Sequence, residues 1–362
     1  MLMNDDRAVN AWISGMQQQA LIANWYADVQ SVVVNDATLP LAIGRVEENQ
    51  TYLASPQHGF IDYARDECDQ LSDASAQRWA KFGLSLVEPW FRALRLDESV
   101  SINAWGVSTH LYPSWSENTL MQLRERLVVE HPKRALWLRT LHEGYDAPLI
   151  EVAQRQGWQL WPSRVVYGFD WKTSSQWMKQ RNNQIDQKLL QKTTLTPLFP
   201  QDFNASHAPA MAQLYQQLYV DKHSRWNAHY TPAYFQHAIE HQWLSFYGFA
   251  DEQGRLIAFI GVFAQDGVMT TPMLGYDTSL PTELALYRLL MARVLRQSIE
   301  QQHYLNLGAG SANFKRMRGG VAHMEWHAFY AHHLPKRQSL AMKITAKLMK
   351  RYVPSFLARQ AV

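Results

Sequence analysis

Three stretches of this chain hold residue types that could do chemistry. In Gly275-Tyr-Asp-Thr-Ser-Leu-Pro281 a strand ends and a helix opens on a proline. Backbone N–H groups at a helix start, with the Thr278 and Ser279 hydroxyls, could grip phosphate oxygens. A plain turn capped by Thr278 or Ser279 fits the same residues. Asp277 would repel a pyrophosphate if it faced inward, and it is a candidate base. In Gly308-Ala-Gly310-Ser311 the glycines allow close backbone approach of a ligand, or merely tight packing, and Ser311 could cap the next helix. Arg288, Lys315, Arg316 and Arg318 gather at the same end and would complement phosphates or a carboxylate. The run Asp221-Lys-His-Ser-Arg-Trp-Asn-Ala-His-Tyr230 is dense in polar and aromatic residues and looks like a recognition loop. His223 could take a proton from an ammonium, although a His in a polar loop is more often structural. His223 and His229 lack further ligands at metal spacing, so no metal site is expected.

Composition bounds the rest. At 362 residues the chain exceeds what one core usually serves, so two domains are expected. The single cysteine, Cys68, excludes an internal disulfide and fits a reducing compartment. Asp66, Glu67 and Asp69 around it would raise its pKa and leave it a poor nucleophile. The acidic start resembles no signal peptide, and no run of about 18 apolar residues suits a membrane span. A cytoplasmic location follows as the expectation. The net charge of +3 argues no stable nucleic-acid complex. Yet after Glu325 only basic charges occur, from Lys336 to Arg359. In residues 336–362 Leu340, Ile344, Leu348 and Tyr352 share one helical side, beside Lys343 and Lys347. Such a helix either packs on the body with a solvated flank or meets RNA or the anionic inner face of a membrane.

The elements that must position these residues come in two similar series. From Glu98 the order is strand, loop, helix 117–130 capped by Ser116, strand 135–141, helix 146–156 and strand 160–171. From Trp243 it is a hairpin turning at Asp-Glu-Gln-Gly254, then strand 268–276 and a helix from Pro281 to about Gln301. Strand 304–307, helix 311–317 and strand 324–330 follow. Before the first series, Thr51-Tyr-Leu-Ala reads as a strand, and 74–96 as a helix bent or broken at Pro89. Residues 172–200 read as a polar linker, with 176–181 as a short helix. The implied organisation is an N-terminal domain 1–171, a linker, a second domain 201–335 and the basic helix.

The strand order of the second series, with Phe314-Lys-Arg-Met-Arg-Gly319 as the pattern Phe-Lys-x-x-x-Gly, resembles the GNAT-superfamily acyltransferases. It is similar to the branch with two GNAT-like domains in one chain, which includes the Fem-type peptidyltransferases. The resemblance covers about residues 200–335; over 40–171 it rests on element order alone. It implies an α/β (α+β) fold of two tandem GNAT-like domains, each a mostly antiparallel mixed sheet flanked by helices. It also implies a parallel strand pair splayed around an acyl thioester.

The activity implied is N-acyl transfer from acyl-CoA to an amine of a small polar metabolite or amino-acid derivative. Such a reaction needs a grip on the carrier, a polarised carbonyl, a freed amine and an acid for the leaving group. The grip falls on Thr278, Ser279, Arg288, Gly308, Gly310, Ser311 and Lys315. The acceptor contacts fall on Arg225, Trp226 and Asn227. The family's acid is a Tyr four residues before the closing Gly, but Lys315 and Ala153 stand there. Either Tyr276, Tyr287 or Tyr330 serves instead, or the carrier is not CoA; His223 or Asp277 would be the base. The first series lacks a basic or Gly-rich loop at Thr109–Pro113 and should be catalytically silent. The alternatives are an aminoacyl-tRNA-dependent Fem-type transferase with the basic helix on RNA, or a non-catalytic scaffold.

Overall fold

The computed structural model describes residues 6–35, 37–70 and 73–360. Their strands form one mixed sheet of eleven, flanked by helices. The first half supplies β1 (Asp28–Val34), β2 (Ala37–Ile43), β3 (Val100–Ile102), β4 (Leu136–His142) and β5 (Gln159–Phe169). The second supplies β6 (Thr196–Leu198), β7 (Ser245–Ala250), β8 (Leu256–Gln265), β9 (Val268–Tyr276), β10 (Tyr304–Asn306) and β11 (Val321–Tyr330). Across the sheet they run β1-β2-β3-β4-β11-β5-β10-β9-β8-β7-β6.

The order at the centre shows an exchange. β11, last of the second half, lies between β4 and β5 of the first, and β5 in turn pairs with β10. Each half therefore completes its sheet with the other's final strand. β5 and β11 are joined from Val321–Gly168 to Phe329–Gln159, the longest antiparallel seam at the centre. The expected boundary at 172–200 is spanned by helix Arg181–Lys192 and β6, while the sheet continues uninterrupted beside it.

Local chemistry explains most elements. Ser116 accepts from Thr119 N at 3.1 Å and starts helix Glu117–Glu130, whose Leu120, Leu123 and Leu127 are buried. The β7–β8 hairpin turns on Asp251, which accepts from Gln253 N and Arg255 N, with Gly254 at φ +76°. Gly275 lets helix Ala208–Tyr215 lie against β9, since a Cβ there would stand 2.8 Å from the Leu214 and Tyr215 backbone.

Several expected elements differ. Thr51–Ala54 is a turn, not a strand; Tyr52 N donates to Trp226 O and Ala54 N to Thr51 O. Helix Ala74–Ala93 runs unbroken through Pro89. The helix expected at Pro281 begins at Leu286. Pro281 is extended, a single tight turn spans Thr282–Leu284, and Ala285 at φ +52° breaks the path. In the linker, the helix expected at 176–181 is replaced by the short Ser174–Trp177 and the longer Arg181–Lys192.

Candidate active site

Strands β9 and β10 are parallel but pair only from Val268–Tyr304 to Thr270–Asn306. Beyond that point β9 follows β8 as far as Tyr276. The chain after Asn306 stays with β5: Leu307 N donates to Tyr167 O at 3.0 Å and Tyr167 N to Gly308 O at 3.2 Å. The pair opens into a V. Tyr287 packs between Tyr276 (6.4 Å between ring centres) and Phe314 (4.9 Å) at this end.

A second V lies between β3 and β4, which pair only at Val100–Leu136 and Ser101–Trp137. The chain's own loop fills it. Asn103 turns at φ +62°, His110 N donates to Thr140 Oγ1 at 2.8 Å, and Arg139 N donates to Tyr112 OH at 2.8 Å. An occupied V has no room for a substrate. The same loop reaches the other half, where Ser108 Oγ donates to Pro272 O at 3.2 Å.

Between the two openings lies a buried polar cluster on the exchanged strands. Arg164 Nε of β5 donates to Glu325 Oε2 of β11 at 2.6 Å, and its Nη2 donates to Ser108 O and Thr109 Oγ1. Asn306 Nδ2 donates to Glu325 Oε1 and is 3.1 Å from Tyr145 OH. Asn306 Oδ1 accepts from Gly308 N at 2.8 Å, which fixes the chain where β10 leaves β9. Burial pulls the Arg164 pKa down, but Glu325 and the nearby tyrosines raise it overall, so the pair is ionic.

Lys315 enters this cluster from the short helix Ala312–Arg316. It is buried, and its Nζ donates to Leu307 O at 2.7 Å and Gly308 O at 2.9 Å. Those bonds use two of the ammonium's three donors. Burial, and then Arg164, bring its pKa down to about 7, against a smaller upward pull from Glu325.

Glu67, at the end of helix Ala64–Glu67, lies within electrostatic reach of Arg164. It reaches solvent, yet surrounding protein raises its carboxyl pKa, with Arg164 opposing. Tyr52 and Tyr63 pack together there at 4.8 Å, and burial raises both phenols. Tyr219 completes the aromatic wall.

The residues read from sequence divide between this cleft and elsewhere. Tyr276 flanks the V with its phenol pKa raised by burial. Gly308 (φ +70°) and Gly310 have open space where a Cβ would stand, and Ser311 bonds Tyr287. His223 is exposed at the rim, its ring 6.1 Å from Tyr219; burial and Lys222 lower its pKa. Asp277 is occupied locally, accepting from Ser279 N at 3.0 Å and from the Ser279 hydroxyl, while Thr278 is exposed.

Five of the expected site residues stand in other surroundings. Tyr330 is remote, because the exchange carries β11 into the first half, where Tyr330 pairs with Leu136, packs against Trp158 and stacks on His333. Arg288 does not present a free cation: it is held at 2.6 Å by Asp186, a buried carboxylate shared with Arg318 at 2.7 Å. Lys315 faces backbone carbonyls inside the protein instead of a surface phosphate. Trp226 and Asn227 are buried pins, Trp226 stacked on His58 at 4.3 Å and Asn227 Nδ2 donating to Tyr219 O and Ser224 O. Arg225 lies over Trp226, beside a separate surface hollow of about 310 Å³ bounded by Asn24, Tyr26 and Asn49.

Cys68 is half-buried, its thiol donating to Ala64 O; burial raises its pKa, as do Asp69 and Glu67, while Lys81 opposes. Among the described residues no group of three or more His, Cys, Asp or Glu could hold a metal ion. Sequence reading missed Glu67, Arg164, Asn306 and Glu325 as site residues. For Arg164 and Glu325 a signal existed: each is a charge inside an otherwise largely apolar long strand.

Residues 186–316, which contain the open V, the helix Leu286–Glu300 and Lys315, match the family described as acetyltransferase (GNAT) domain. That segment is therefore similar to a GNAT acetyltransferase domain. Among curated proteins none matches the sequence. Among solved structures, FemX aligns with a TM-score of 0.53 at 8% identity, covering 88% of this chain and 90% of its own. L-PGS from Bacillus licheniformis aligns with a TM-score of 0.50 at 8% identity, covering 95% and 97%. At such identity the likeness is one of fold, and it extends well beyond residues 186–316 into the first half.

Proposed function

We propose that this protein is an acyltransferase that moves an acyl group from a carrier ester or thioester to an amine of a small polar metabolite or amino-acid derivative. The observation carrying this reading is Lys315, buried where the β9–β10 pair opens in the GNAT-like segment, with one ammonium donor left over. A cation there would stabilise the oxyanion of a tetrahedral intermediate. Glu67, with its raised pKa, would take the proton from the attacking ammonium. The amine nitrogen bonds to the carbonyl carbon, the bond to the carrier breaks, and Tyr276 or Tyr287 protonates the leaving sulfur or oxygen. The filled V of the first half leaves it the task of shaping the cleft.

Acyl-CoA is the first donor to test, since it is the expected partner of a GNAT domain. Its pyrophosphate would lie over the start of helix Leu286–Glu300. A specific observation favours an aminoacyl ester on tRNA as the second. Arg288 and Arg318 are both spent on Asp186, and the Ser279 hydroxyl on Asp277, so the usual place for a pyrophosphate is poor in free donors. Isothermal titration with CoA, acetyl-CoA and a charged tRNA separates them. Saturable heat with CoA supports the first donor, and heat with the charged tRNA alone supports the second. Absence of binding by all three would sink the transferase reading.

A further inference from the structure

Two helices leave apolar faces uncovered. Helix Ala74–Ala93 buries only Phe91 of its 20 residues. Its Trp79 (73% exposed), Phe82, Leu86 (65%) and Trp90 recur at spacings of three, four and four, one side of a helix. Helix Lys336–Gln360 turns Met342, Thr345 and Ala346 to the core. Leu340, Ile344, Leu348, Tyr352 and Phe356, every fourth residue, stand in solvent. The helix packs on the body through a different face from the stripe expected to do so.

The two helices touch at the end of the first stripe. The helices run in opposite directions, with Gln338 Nε2 donating to Leu94 O at 2.9 Å and Trp90 Nε1 to Thr345 Oγ1 at 2.8 Å. Thr345 adjoins Ile344 and lies one turn before Leu348, which brings Trp90 near the second stripe. Soluble monomers rarely expose so large a contiguous apolar surface.

The charge beside the second stripe has one sign. Lys343 and Lys347 border the second stripe, Lys350 and Arg351 follow, and no acidic residue occurs after Glu325. On helix Ala74–Ala93 the one acid, Glu88, is neutralised by Arg65 at 2.7 Å and Arg92 at 2.6 Å.

We propose that this two-helix face docks on an anionic lipid bilayer, lying in the headgroup layer. No described helix is long and apolar enough to cross a membrane. Trp and Tyr suit the interfacial depth, and lysines can bury their stems while their ammonium groups meet lipid phosphates. The charge complementarity selects a continuous negative surface. The proposal does not depend on the acyl-transfer reading, although helix Ala74–Ala93 closely follows the segment bearing Glu67, tied to it by Lys81 and Asp69.

The test is co-sedimentation of the full chain with vesicles of phosphatidylcholine alone and of phosphatidylcholine mixed with phosphatidylglycerol. Binding to the mixed vesicles that weakens with salt is expected. Lys343→Glu with Lys347→Glu should weaken it by at least about tenfold. Trp79→Ser with Phe82→Ser and Leu86→Ser should abolish it, while the unfolding midpoint holds. Failure to pellet with mixed vesicles, or pelleting that the triple substitution leaves intact, would overturn the proposal. A concentration-dependent dimer lost in the triple variant, without vesicle binding, would assign the face to a second copy of the chain.

Discussion

Arg164 of β5 and Glu325 of β11 bond at 2.6 Å across the seam where the two halves exchange their final strands. One comes from each half, and Glu325 is fully buried. The pair therefore ties the integrity of the sheet to the polar cluster beneath the cleft. Removing one partner leaves a charge without compensation. Glu325→Ala is expected to cost about 3–5 kcal/mol in urea unfolding, and Arg164→Met with Glu325→Leu to recover most of that loss. A double variant that costs as much as the two single substitutions added together would show that the pair is not coupled.

Asp186 has two arginines, and they are not equivalent. Arg318 is buried, while Arg288 is more than a third exposed. Arg288→Ala should cost about 1 kcal/mol or less, because Arg318 still holds the carboxylate. Arg318→Ala should cost at least twice as much. Denaturant midpoints for the two variants, with unchanged m-values, check this order.

Lys315→Met should lower kcat by about 10²–10³ while leaving the circular dichroism spectrum intact. As a cationic donor, Lys315 loses its role when it loses its proton. The rate in wild type should therefore fall as pH rises through about 7. A rate that climbs through this range would point to Lys315 acting as a base.

Stability should respond to pH in opposite directions at two buried sites. Lys315 has a folded pKa of about 7 against 10.5 ordinarily, so between these values the unfolded state holds the proton and stability rises with pH. Asp146, pushed up to about 8 from 3.8 by burial against the His142 N–H bond and with help from Glu325, keeps its proton in the fold. Its contribution is lost as pH climbs from about 4 to 8. Urea midpoints across pH for wild type, Lys315→Met and Asp146→Asn should differ with slopes of opposite sign.

Glu67→Gln should reduce kcat/KM by about 10²–10⁴ if Glu67 is the base. In wild type the acidic limb should lie above the ordinary carboxylate value of 4.5, because burial raises this pKa. A limb unchanged in the variant would assign the base elsewhere, with His223 at the rim next in line.

Where hydrophobic period and punctuation are local, the sequence sufficed. Helix Glu117–Glu130 with its Ser116 cap, the hairpin at Gly254 and strand β9 follow from neighbouring residues, and the order of elements carried the GNAT resemblance. The open V came only with that resemblance, which implies a splayed parallel strand pair. What lay beyond reach were pairings between distant segments. The passage of β11 between β4 and β5 depends on which edges meet. That decision removed Tyr330 from the cleft, put Glu325 against Arg164 and drew Lys315 inward. The partner of Arg288 is likewise remote in sequence, at Asp186. Composition determined that the last helix would be basic and amphipathic. Only packing decided which face it buries, because the core beneath takes the small residues Thr345 and Ala346 with Met342, leaving the large apolar stripe outside.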